Sequence, residues 1–148
     1  MTNDLLSLLR AELATLESAT EILQHSYELC KKIGIKEQPT FDEMDRFEAF
    51  TSRFARLSDI LIQKMCRLID QIDLEDGGSV RDRINRAEKK GLIESADVFT
   101  QIRIVRNDIA DEYRTEALHD IYRKALELAP HLFDSEKRIK EYCKRYYS

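Results

Sequence analysis

Glycine and proline are scarce, four and two residues among 148, and that removes most of the turn chemistry on which a fold of many short strands depends. With Leu, Ile, Ala, Glu, Lys and Arg abundant instead, long helices joined by few loops are expected. The three cysteines, Cys30, Cys66 and Cys143, stand 36 and 77 residues apart, which fits neither a zinc pattern nor a small disulfide scaffold. A reducing, intracellular setting follows as the expectation. No apolar run approaches the roughly 20 residues that span a bilayer. A basic start followed by an apolar stretch and a small-residue cleavage site is also missing, so a soluble, cytoplasmic protein without membrane contact is expected. The chain lacks a glycine-rich phosphate loop, a Glu-x-x-His pair and a His-Glu-x-x-His run. No cofactor and no metal centre are therefore expected.

What is present suits one domain over residues 1–148: 43% hydrophobic and 35% charged residues can bury a core at this length without disulfides. Leu6, Leu9, Leu13, Leu16, Thr20, Leu23, Tyr27 and Cys30 alternate steps of three and four. They predict a helix over about 3–33, closed by Gly34. Thr40 and Glu43 form a capping box for a second helix over about 41–74, with its seam running from Phe47 and Phe50 through Leu57 and Leu61 to Ile72. Ser79 caps a short third helix that ends at Gly91, and Ser95 caps a fourth with Val98, Ile102, Val105 and Ile109 as its apolar stripe. A fifth starts near Thr115, and Pro130 should kink or interrupt it, leaving a last segment over about 135–147. The expected fold class is all-α, an antiparallel bundle of about five helices.

The net charge of −4 is unevenly spread: residues 1–76 hold 9 basic and 15 acidic side chains, whereas 77–148 hold 15 and 13. An anionic partner is expected to meet the second half. Asp42, Glu43, Asp45 and Glu48 read as a helix start stabilised by its dipole. The basic, tyrosine-rich run 137–147 is either a helix end or a contact for RNA or an acidic partner. Cys30 and Cys66 fall on the helical seams and read as buried apolar residues.

The densest polar stretch is VRNDIADEYR, residues 105–114. At 100° per residue the four apolar residues of the fourth helix fall within roughly 60° of arc, with Arg106 and Tyr113 superposed along one edge. Arg103, Asn107 and Arg114 continue round that side, and Asp111 lies farther out beside Asn107. These side chains are either solvated charges tied into i,i+4 pairs or an anion or nucleotide site, since arginine offers phosphate a rigid pair of donors and tyrosine a stacking face. Residue chemistry alone leaves both open.

The run GGSVRDRINRAEKKGLIESADVFTQIRIVRNDIADEY, residues 77–113, resembles the HEPN superfamily, specifically the HepT-like proteins also described as nucleotidyltransferase substrate-binding proteins. The five-helix layout is similar over nearly the whole chain. The family signature is Arg, Asn, three variable residues, His, one variable residue, Tyr. Here it reads Arg106, Asn107, Asp108, Ile109, Ala110, Asp111, Glu112, Tyr113. The resemblance implies a dimer in which the motifs of two subunits line one cleft, and a minimal nucleotidyltransferase as partner in a toxin–antitoxin-like pair. It also implies a ribonuclease that needs no metal, and Tyr113 as an adenylylation target. It assigns Arg106 to catalysis and Arg106, Asn107 and Tyr113 to nucleotide or RNA contacts, to which the helix geometry adds Arg103 and Arg114, and places Asp111 at the histidine position.

That replacement bears on the chemistry. Free imidazole titrates near pH 6.5 and can shuttle a proton, whereas a free aspartate, with a pKa of about 3.9, is a poor general acid and repels phosphate. Cleavage is therefore expected to be weakened or lost, leaving a module that binds a nucleotide or RNA phosphate. An active ribonuclease and a purely structural interaction module are the alternatives. His119 lies eight residues beyond Asp111, about two turns too far to take over directly.

Overall fold

The computed structural model describes residues 3–111 and 115–147, apart from the side chains of Asn3, Thr115 and Glu116. Every regular element among them is helical. α1 spans Asn3–Ile33, and its expected seam is buried at Leu9, Leu16, Thr20, Leu23 and Cys30 and half-buried at Leu6, Leu13 and Tyr27. α2, Phe41–Asp59, starts on the anticipated capping box: Thr40 Oγ1 accepts from the Glu43 amide at 3.1 Å, and Glu43 accepts from the Thr40 amide at 2.9 Å. Lys36 and the Thr40 amide both bond that carboxylate, which holds the Glu43 pKa below its ordinary value.

The rod that begins with α2 continues through a π-helical segment, Ile60–Cys66, into α3, Arg67–Ile72. The sequence pattern predicted one regular helix here. Ile60, Leu61 and Ile62 are consecutive and all buried, which one amphipathic stripe cannot achieve. The segment packs against α1, α4 and α6, so the wider turn spreads its apolar side chains over several neighbours while Gln63 and Lys64 stay toward the surface. Leu74, at φ 61° and almost fully exposed, takes the left-handed position just past the rod.

α4, Val80–Lys90, has its own capping box between Ser79 and Asp82 and stops at Gly91, φ 80°. α5, Ala96–Asp111, is capped as expected by Ser95, whose Oγ accepts from the Val98 amide at 3.2 Å. Its buried face is Ala96, Phe99, Ile102 and Val105. Val98 and Ile109 only flank it, so the stripe is rotated toward Phe99 relative to the expectation.

α6 runs Thr115–Cys143 without interruption at Pro130, followed by a 3-10 turn, Lys144–Tyr146. The expected interruption, with a separate last segment over about 135–147, is therefore corrected. Pro130 is exposed, while Ala125, Ala129, Leu132, Ser135 and Ile139 are buried around it, and Ser135 Oγ donates to the Leu92 carbonyl at 2.9 Å. Packing on both sides outweighs the lost backbone bond.

One apolar cluster draws on every helix, with Phe47 stacked on Tyr122 at 4.7 Å and Tyr27 edge-on to Phe133 at 5.5 Å. The cysteines sit inside it, Cys30 and Cys66 as expected and Cys143 with them, and burial pushes the Cys30 thiol up to about 11 and those of Cys66 and Cys143 up to about 12. They stay protonated and unreactive at neutral pH. Where α3, α4 and the C-terminal turn meet, buried Asp70 accepts from Arg86 Nε at 3.0 Å and Lys90 Nζ at 2.7 Å. Lys90 also reaches Asp73 at 3.0 Å, and Tyr142 and Tyr146 both donate to Asp73 at 2.6 Å. The basic, tyrosine-rich run thus folds back on the body; Tyr147 donates to the Leu6 carbonyl at 3.0 Å. Among the described residues no helix is long and apolar enough to cross a membrane.

Candidate anion-binding site

Arg106 projects from α5 toward the end of α2 and makes a forked pair with Asp59: Nε donates to Oδ1 at 2.8 Å and Nη2 to Oδ2 at 2.9 Å. Asp59 directly precedes the π-helical segment. The hydrogen bonds and charge of Asp59 raise the Arg106 pKa, with a smaller contribution from Asp111. Nη1 faces the side-chain oxygen of Asn107 at 3.5 Å, the outer limit of a hydrogen bond.

The pair stands between two cavities. One, of about 670 Å³, is lined by Thr15 of α1, Arg56 and Asp59 of α2, Gln63 and Lys64 of the π-helical segment, and Arg103 and Arg106 of α5. The other, of about 490 Å³, runs between Thr51 and Ala55 on one side and Ile109, Leu118 and Tyr122 on the other. The first continues in both directions. A cavity of about 500 Å³ shares Thr15 and Arg56 and reaches Ile22 and Arg53. Another, of about 240 Å³, shares Gln63 and Lys64 and ends at Arg67 and Gln71.

Six cations line this groove, Arg53, Arg56, Lys64, Arg67, Arg103 and Arg106, against two carboxylates, Glu12 and Asp59. Only Arg106 has a carboxylate partner among the described residues; Arg53 donates to Ser26 Oγ. In a chain of net charge −4, such a strip concentrates positive potential where a phosphate can approach.

Of the residues singled out in the sequence, Arg103 and Arg106 share the cavity and Asn107 touches Arg106. Asp111 ends α5, exposed and outside the lining, close enough only to act on Arg106 through charge. Tyr113 and Arg114 lie outside the described residues. His119 lines neither cavity beside Arg106. Sequence reasoning missed Asp59, Arg56 and Lys64. Arg53, Arg56, Gln63 and Arg67 do recur at helical spacing along one face of the second rod, a signal masked by the acidic balance of the first half. Four of these six cations come from the first half of the chain, whereas the charge balance of the sequence pointed an anionic partner to the second.

Comparison of the sequence with models of known protein families and with curated proteins finds no match.

Proposed function

We propose that this protein is a HEPN-type antiparallel helical bundle that binds nucleotide or RNA phosphate in the groove between α1, the α2–α3 rod and α5. The observation that carries the reading is the placement of Arg106 and Arg103 in one cavity with Arg56 and Lys64, which have no carboxylate partner among the described residues. Guanidiniums held by a neighbouring carboxylate are oriented before a ligand arrives, so less ordering cost falls on binding. On this reading the protein acts as a dimer, as the helical half of a toxin–antitoxin-like pair with a minimal nucleotidyltransferase. Tyr113 is the residue that partner would adenylylate. Ribonuclease activity is weakened or lost, because Asp111 replaces the imidazole that would move the proton.

Fluorescence anisotropy with a short single-stranded RNA tests the binding claim. Arg106→Ala and Arg103→Ala should each weaken binding by about tenfold, the order expected for losing a charge-assisted contact. Unchanged affinity in both variants overturns the reading. The Arg106–Asp59 pair also favours a second reading, in which the polar face only braces the helices; then Arg106→Ala lowers stability and no ligand effect exists.

A further inference from the structure

A small cavity of about 190 Å³ lies between the start of α3, the loop before α4 and α4 itself, and it touches the groove only through Arg67. Three arginines line it: Arg67, Arg83 and Arg86. Arg86 is already committed, donating Nε to Asp70 at 3.0 Å and Nη2 to the Gly77 carbonyl at 2.8 Å. Asp70 is in turn neutralised on both oxygens, by Arg86 and by Lys90. These contacts brace the wall.

The other two arginines retain donors. Arg67 is exposed and has no carboxylate partner among the described residues. Arg83 donates Nη1 to Gln63 Oε1 at 2.9 Å, yet its buried Nε has no acceptor. A buried guanidinium N–H without an acceptor has lost its water and gained nothing in exchange, so such a group marks a place where an acceptor belongs. The opposite wall is the backbone of Gly77 and Gly78, at φ 122° and 79°. Neither glycine amide has a protein acceptor among the described residues, and a Cβ at Gly78 would press on the Asp82 carboxylate at 2.5 Å. Asp76, exposed at the rim, is the one opposing carboxylate of the lining that carries no ion pair.

We propose that this cavity binds a phosphate dianion, free or as a terminal monoester, between Arg67, Arg83 and the Gly77–Gly78 backbone. Donors come from three sides, which suits a tetrahedral oxyanion with several acceptor oxygens better than a planar carboxylate; the N-terminus of α4 is already taken by its own Asp82 carboxylate. No aromatic ring lines the cavity, so recognition stops at the phosphate and does not extend to a base.

The test is an amide and guanidinium NMR titration of the full chain with inorganic phosphate at ionic strength held constant with chloride. The expected result is saturable shifts of the Gly77 and Gly78 amides and of Arg83 Nε, weakened about tenfold in Arg67→Gln. Because Arg67 is exposed and has no carboxylate partner among the described residues, this variant should keep the wild-type melting temperature. Arg83→Lys, which keeps the charge but loses the Nε donor, should weaken binding as well. Absence of saturable shifts, or identical titrations in wild type and Arg67→Gln, overturns the proposal. Shifts confined to Arg103 and Arg106 also overturn it and leave the proposed function intact. Parallel titrations with 5′-phosphorylated and 5′-hydroxyl oligonucleotides separate the sources. Tighter binding of the phosphorylated end assigns the site to a chain terminus, and no difference between the two ends assigns it to free phosphate.

Discussion

Arg106 and Asp59 are each about one-third exposed, 33% and 35%, so solvent screening limits their pair to about 1 kcal/mol of stability or less. Its consequence lies in where it holds the guanidinium and in what it withholds from a ligand. Asp59→Ala should change stability by no more than about 1 kcal/mol in urea unfolding. It should also tighten binding of a phosphate-bearing ligand and steepen the salt dependence by about one charge in anisotropy titrations. Equal affinity with and without Asp59 would mean that the carboxylate does not compete for Arg106. Arg103, Arg106 and Asn107 were legible because they share one helical face. Asp59 was not, since it lies 47 residues from Arg106 and no local period links the two.

At the scale of elements, what the sequence disclosed followed from local chemistry. The capping box at Thr40, the cap at Ser79 and the stop at Gly91 each rest on residues within one turn, and all three are present. The π-helical segment and the uninterrupted α6 depend on neighbours distant in sequence, which periodicity does not report. Because Pro130 is exposed within a helix whose flanking turns are packed, Pro130→Ala should raise stability, by about 1–3 kcal/mol on the helix-propensity scale. A lowered urea midpoint would show that the proline contributes something the packing does not reveal. Asp70 is the opposite case. It is 2% exposed between Arg86 and Lys90, and Asp70→Ala, by leaving Arg86 only the Gly77 carbonyl and Lys90 only Asp73 and Glu75, should cost about 3 kcal/mol. A loss below about 1 kcal/mol in urea unfolding would contradict this account of the cluster.

For the molecule as a whole, the same cluster sets the response to pH. Burial, then the Asp73 hydrogen bond, raises the pKa values of Tyr142 and Tyr146. Burial opposes the rise at Lys90, but bonds to Asp70 and Asp73 outweigh it. Raised folded-state values contribute stability that is complete below the unfolded pKa, about 10 for tyrosine, and is lost as pH climbs above it. Asp73 has the opposite sign: burial would raise its pKa, yet the two phenols and Lys90 lower it. Its contribution is complete above about pH 4 and lost below. Thermal unfolding across pH should therefore show a plateau with both limbs, and Tyr146→Phe should make the alkaline limb shallower. An alkaline limb of unchanged slope in that variant would assign the loss to other groups. The all-helical class was legible from composition and seams. The groove was not, because its cations come from the α2–α3 rod and from α5, whose juxtaposition is a product of packing.

The central claim is that the groove holds phosphate while Asp111 leaves it without a proton shuttle. An RNA-cleavage assay in EDTA, run on wild type, Asp111→His and Arg106→Ala, addresses both halves at once. Cleavage confined to Asp111→His, with wild type and Arg106→Ala inactive, is the predicted result. Efficient cleavage by wild type that Arg106→Ala abolishes would contradict it and make this chain a working ribonuclease.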